Sequence, residues 1–227
     1  MQTHFTLHDI QHGAIEEIFA LVFRCDFSTP GFCIIDLGKE IDAKQLKKAM
    51  MEIKKNFNDL YYHRFGKYLY YLSMDRTSRQ FTTKFHLEAT MDQESILMLG
   101  YEPSVIKSAL HVGDYSKYIY DHQLDAQTSM KNLLQIFGQN PCAENYITKL
   151  NIQHQHFQII VLNNSFFPEK VDGRHMLGVM HKGVVPHPLK EETRIINAIA
   201  LGITNESCEE IQTEKNFMAM EDFTPIH

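Results

Sequence analysis

Leu177-Gly178-Val179-Met180-His181-Lys182-Gly183-Val184-Val185 is the stretch on which the reading of this chain turns. Its length and apolar content are those of a buried strand. An imidazole at position 181 inside such a strand needs a polar partner, and metal ligation is one way to supply it. Glycines at 178 and 183 relax the packing around it, as expected where a ligand approaches closely.

Toward the C-terminus, Pro186-His187-Pro188 turns the chain into a second strand, Thr193 to Ile203, near whose start stands Arg194. His181 and Arg194 are equally far from that turn. Whether the strands pair or face each other across a sandwich, both side chains can approach one cavity. A buried Arg requires a carboxylate, bidentate by preference. The adjoining apolar stretches offer none, since Glu191 and Glu192 fall in the turn, and a bound dicarboxylate would fill the gap.

Toward the N-terminus, Phe157 to Leu162 reads as a strand stopped by Asn163-Asn164-Ser165, and Ser95 to Tyr101 as another ended by Glu102-Pro103. Tyr68 to Met74 and Gln80 to Phe85 read as two strands separated by a polar turn at Asp75-Arg76-Thr77-Ser78. The second of these runs into Lys84-Phe85-His86-Leu87-Glu88. In extended chain, residues i and i+2 share a face, so His86 and Glu88 can reach one ion while Phe85 and Leu87 pack behind them. Two imidazoles and a carboxylate on one face of an ion, with other positions open, suit ferrous iron.

Helical periodicity marks Asp9 to Phe23, and Asp42 can cap a helix from about Ala43 to Phe57. A short buried strand, Phe32 to Leu37, lies between them. A helical stretch is expected near Ala126 to Phe137, and the acidic tail after Asn205 is expected to fray or pack loosely. Helices first and strands later predict an α+β chain around a β-sandwich or jelly roll, as one domain over residues 1–227. The helical part covers about 1–60 and the β core about 61–204, with a lid or insertion at about 102–150.

His86-x-Glu88, the distal His181 and the Arg194 thirteen positions beyond it resemble the clavaminate synthase-like branch of the Fe(II)/2-oxoglutarate-dependent oxygenases. The segment from Leu162 to Gly183 is similar to the strand-turn-strand that delivers the distal His in that family. The likeness spans roughly residues 80–200 and departs in having Glu rather than the commoner Asp. It implies a double-stranded β-helix with flanking N-terminal helices, Fe(II) on His86, Glu88 and His181, and 2-oxoglutarate held by Arg194. It also implies O2 and a small-molecule or amino-acid-like substrate as reaction partners, with oxidation of a C–H bond, chiefly hydroxylation, and release of succinate and CO2. A retained carboxylate ligand argues against halogenation, which needs that coordination position. Arg76 and Arg79 are candidates to meet an anionic substrate at the cavity mouth.

The 227 residues are 44% apolar and 22% charged, with a net charge of −6, as in an ordinary globular chain. That balance argues against nucleic-acid binding, which needs clustered Lys and Arg. Lys44, Lys47, Lys48, Lys54 and Lys55 alternate with apolar positions and read as the solvated face of a helix. No apolar run reaches the length of a membrane span, and the N-terminus lacks a secretory pattern, so a cytoplasmic protein is expected. Cys25, Cys33, Cys142 and Cys208 read as free, mostly buried thiols. Tyr61, Tyr62, Tyr68, Tyr70 and Tyr71 read as a core face with one edge near the cavity. His154 and His156 suggest an exposed or supporting role, and His4, His8 and His12 a polar helix face. Two further readings compete: a ligand-binding member of the same fold without catalysis, and a cupin-like or zinc enzyme that does not use 2-oxoglutarate.

Overall fold

Strands that are apolar at every position, not at alternate ones, belong where both faces are covered. Ile96–Tyr101 and Phe157–Asn163 are of this kind, and every residue in both is buried. In the computed structural model, which describes residues 2–88, 94–124, 137, 141–167, 170–171 and 173–226, they lie side by side at the centre of the larger of two main sheets.

The first part of the chain forms β1 (His4–Thr6), α1 (Leu7–Gln11), α2 (Ile15–Val22), β2 (Phe32–Gly38) and α3 (Ala43–Phe65). The middle forms β3 (Tyr68–Arg79), β4 (Ile96–Tyr101), β5 (Ala109–Gly113), α4 (Tyr115–Asp121), a 3-10 turn (Pro141–Tyr146) and β6 (Ile147–Asn151). Then come β7 (Phe157–Asn163), the short hairpin β8 (Lys170–Val171) and β9 (Arg174–His175), β10 (Met180–Val184), β11 (Ile195–Thr204), α5 (Ile211–Ala219) and β12 (Thr224–Ile226). The large sheet runs β1-β2-β7-β4-β11-β3-β12 and the small one β10-β5-β6. Residues 82–86 extend the small sheet along the free edge of β10, through Thr83 N–H to Gly183 O (3.0 Å) and a two-way exchange between His86 and His181.

One core lies between the sheets, where Leu97, Leu99, Ile160 and Leu162 meet Leu110, Val112 and Leu150. A second lies between the large sheet and α2 and α3, with Met98, Ile159 and Val161 against Ile18, Phe19, Met50 and Phe57. The stretch expected to be a lid or insertion at 102–150 supplies β5 and β6, two strands of the small sheet. The helix expected at 126–137 lies outside the described residues, apart from Phe137.

Several sequence expectations are corrected. The first helix is two, broken at Gly13, whose φ of 95° is comfortable only for glycine. α3 begins as expected, with reciprocal Asp42 and Gln45 capping bonds of 2.7 and 2.8 Å, but continues to Phe65. Tyr61 prolongs the buried stripe of Leu46, Met50, Ile53 and Phe57, and Gly66 stops the helix at φ 68°. Residues 75–78 are no turn: β3 runs unbroken to Arg79, because β11 pairs with it along almost its whole length.

The tail does not fray. Phe217 of α5 is fully buried against α3, and β12 adds a parallel edge to β3. Lys47, far from being solvated, is buried and donates to Phe217 O (3.0 Å) and Met220 O. Glu210 accepts from Lys54 Nζ and from Tyr71 N–H (2.6 Å), so the tail's acids match the lysines and open backbone of the body. Only Cys33 among the cysteines is buried. No helix among the described residues is long and apolar enough to cross a membrane.

Candidate metal centre and its cavity

β10 and the segment 82–86 exchange both backbone bonds at His181 and His86 (3.0 and 3.1 Å), so the two imidazoles project side by side, ring centres 4.2 Å apart. Glu88, two residues on, brings Oε1 to 3.5 Å from His86 Nε2. Ligand atoms of all three residues lie within 4.8 Å of one another, the one such group of metal-capable side chains among the described residues. Asn164, fully buried at the end of β7, accepts the Glu88 backbone N–H (3.1 Å) and so anchors the carboxylate's strand to the large sheet.

The proton pattern suits ligation. His86 Nδ1 lies 2.8 Å from Lys84 O; a carbonyl only accepts, so Nδ1 carries the proton and the Nε2 lone pair faces Glu88. His181 is 4% exposed and its Nδ1 is buried without a hydrogen-bond partner. Burial, then the neighbouring His86, pushes its pKa down to about 3, so the ring stays neutral at ordinary pH. The neighbouring His86 ring, first among several causes, lowers the pKa of Glu88, which stays ionised. Neutral imidazole and ionised carboxylate are the forms that bind a metal.

The approach to His181 is held rigidly. Arg24, its guanidinium fully buried, forms a two-pronged pair with Asp114 (2.7 Å each) and donates to Leu177 O (2.7 Å). Ser116 Oγ donates to Gly178 O (2.6 Å). Gly178 abuts backbone, not ligand: a Cβ there would lie 1.8 Å from Ser165 O. Gly183, by contrast, does line the cavity. Gly178→Ala is therefore expected to lose at least the roughly 1–3 kcal/mol typical of overpacking, seen as a lower denaturation midpoint, and to weaken metal binding by shifting His181. An unchanged midpoint would contradict this close packing.

Beside these three side chains lies a cavity of about 320 Å³. Leu99, Tyr101, Leu110, Ile196 and Ala198 supply its apolar wall, and Asp75, Thr77, Arg79 and Arg194 its polar one. Arg194 is 3% exposed. Its Nη1 donates to Arg79 O (3.0 Å) and its guanidinium sits 5.2 Å over the Tyr101 ring, while Nε and Nη2 are buried without partners. Those two nitrogens form one edge of the guanidinium, the edge that takes a carboxylate side-on. Burial lowers the Arg194 pKa from its usual value.

The structure thus gathers His86, Glu88, His181, Arg194 and Arg79 around one space. Arg76 is elsewhere, pairing with Glu102 (3.1 and 3.2 Å) and with Glu221 O. Three strand steps separate it from Arg79, which turns it to the opposite face. None of the five tyrosines of the aromatic cluster lines the cavity; Tyr61 lies in the helix-side core and Tyr62 is 44% exposed. His154 and His156 border a separate groove, and His156 pairs with Asp36 (2.9 Å). His4 lies in β1, while the rings of His8 and His12 lie tilted against each other, centres 3.9 Å apart. Tyr101, Asn164, Asp75 and Thr77 were not singled out from the sequence. The alternation of 75, 77 and 79 was the available signal, concealed by reading that stretch as a turn.

No family model matches this chain, and no curated protein does. Among solved structures it is similar to the "iron and alpha-ketoglutarate-dependent endoperoxidase NvfI", at 10% identity over 80% of this chain and 81% of that one, with a TM-score of 0.39. A point variant of that enzyme gives 10% identity, 82% and 80% coverage, and a TM-score of 0.37. Scores of this size carry no weight for activity, which has to be read from the site itself.

Proposed function

We propose that this protein is an Fe(II)- and 2-oxoglutarate-dependent oxygenase that oxidises a C–H bond of a small molecule, most simply by hydroxylation. The observation that carries the reading is the pairing of two features in one cavity. One is a His-Glu-His group with its protons arranged for ligation; the other is a buried arginine with a free carboxylate-binding edge. The sheet orders support a double-stranded β-helix: β3-β11-β4-β7 in one layer, and 82–86, β10, β5 and β6 in the other.

His86, Glu88 and His181 would hold the iron, and Arg194 would take the far carboxylate of the keto acid through Nε and Nη2. Iron with 2-oxoglutarate supplies the coupling of O2 reduction to substrate oxidation, giving hydroxylated product, succinate and CO2. The protein's part is to keep His181 neutral, hold Glu88 through Asn164, fix the keto acid's direction through Arg194, and enclose the reacting carbon between apolar walls. At about 320 Å³ the cavity is near the lower end of the usual range for ligand sites, which suits a small substrate.

A zinc hydrolase or a cupin-type enzyme would use the same three ligands but gives Arg194 no task. A binding protein without catalysis has no need of a His-Glu-His group beside a buried arginine with an open carboxylate-binding edge. Protein loaded with Fe(II), ascorbate and 2-oxoglutarate in air is expected to release succinate, faster with an oxidisable substrate and not at all with Zn(II). No succinate from the iron-loaded protein, with or without a broad substrate panel, would remove the oxygenase reading.

A further inference from the structure

Arg79 and Arg194 stand directly opposite each other on adjacent strands. β3 and β11 pair Ser78 with Ile195, and Arg79 N–H donates to Arg194 O at the next position (3.2 Å). Opposed residues on neighbouring strands share a face, and like charges placed so repel. Both side chains line the cavity. Among the described residues neither guanidinium has a carboxylate within ion-pairing distance, and Arg79 Nε is buried without a partner.

Two arginines left bare in one cavity call for anions. One carboxylate on the Nε–Nη2 edge of Arg194 completes that residue, whose Nη1 is already engaged. It does nothing for Arg79, whose Nε is buried without a partner and whose guanidinium has no carboxylate among the described residues. Glu88 is committed to His86 and the ion site. Asp75, on the same face of β3, is four residues away, about 13 Å along a strand. The two guanidiniums also differ in depth. Arg194 is sealed inside, over Tyr101, whereas Arg79 lies over Phe81, which is 39% exposed.

Building on the oxygenase reading, we infer that the cavity admits a second acid beside the keto acid, and that the substrate is a small carboxylic acid whose carboxylate is held by Arg79. A single guanidinium matches a monoanion, and its planar fork matches a carboxylate in particular. The apolar lining beside it, Leu99, Ile196 and Ala198 on the same sheet face with Leu110 from the opposing sheet, accepts a short hydrocarbon body.

The test is calorimetric titration of Mn(II)-loaded protein, with 2-oxoglutarate present, using propionate and hexanoate against propionamide and hexanamide. Each acid is expected to bind at least about tenfold more tightly than its amide, a contrast of about 1.4 kcal/mol. Arg79→Gln is expected to erase that contrast and leave the 2-oxoglutarate Kd within about threefold, while Arg79→Lys retains part of the contrast. Amides binding as well as acids would overturn the inference. So would Arg79→Gln weakening 2-oxoglutarate as much as Arg194→Gln does, for Arg79 would then belong to the keto acid's seat. Failure of the wild type to bind 2-oxoglutarate at all would instead strike the oxygenase reading, and shows separately in the first titration.

Discussion

His181→Ala is expected to abolish stoichiometric binding of ferrous iron, and with it all succinate production. Loss of a supporting residue around a metal typically costs about 10–100-fold in affinity, and loss of a direct ligand costs more. His181 contributes more than one donor among three, because it is the buried member, held neutral, on the strand that the Arg24–Asp114 pair and Ser116 fix in place. Glu88→Ala should give the same result by removing the one anionic ligand, and Glu88→Gln should keep the shape but lose most of the affinity. Metal content after dialysis, with fluorescence or calorimetric titration of Fe(II) or Mn(II), checks both. Retention of one tightly held ion by His181→Ala would exclude this residue as a ligand.

Arg194→Met has an opposite pair of consequences. In the free protein, Arg194 buries a charge whose Nε and Nη2 have no partners, a costly arrangement that a flexible apolar side chain of similar length relieves. The thermal midpoint of the ligand-free protein should therefore hold or rise. Keto-acid affinity should fall by about 2–5 kcal/mol, the usual cost of removing one partner of a buried charged pair, or roughly 30- to 4,000-fold. In the wild type, 2-oxoglutarate with metal should raise the melting temperature by mass action, and in Arg194→Met that rise should disappear. A variant that melts much lower yet still responds to 2-oxoglutarate would show that Arg194 serves the core instead of the ligand.

What was legible in the sequence followed from local pattern. β4 and β7 announced themselves because a strand covered on both faces is apolar throughout, and α3 because Asp42 and its buried stripe obey helix rules. The metal candidates were legible because i and i+2 share a strand face and because a histidine inside apolar sequence demands a partner. The failures share a different cause. Residues 75–79 looked like a turn because polarity usually means solvent; here it means a polar cavity wall, which only the pairing with β11 reveals. The tail looked loose because Glu210, Glu214 and Lys47 read as surface residues until α5 docks on α3 and matches them. Gly178 looked like room for a ligand, whereas the Ser165 backbone fills the space. Long-range contact decides each of these, and no window of sequence contains it.

Anaerobic titration of the Fe(II)-loaded protein with 2-oxoglutarate, followed in the visible range, addresses both halves of the site at once. A charge-transfer absorption that saturates at one keto acid per iron in the wild type, is absent in His181→Ala, and needs far more keto acid in Arg194→Met is the expected result. No such band from protein that demonstrably holds iron would contradict the account, since the metal would then sit without the keto acid that Arg194 is proposed to hold.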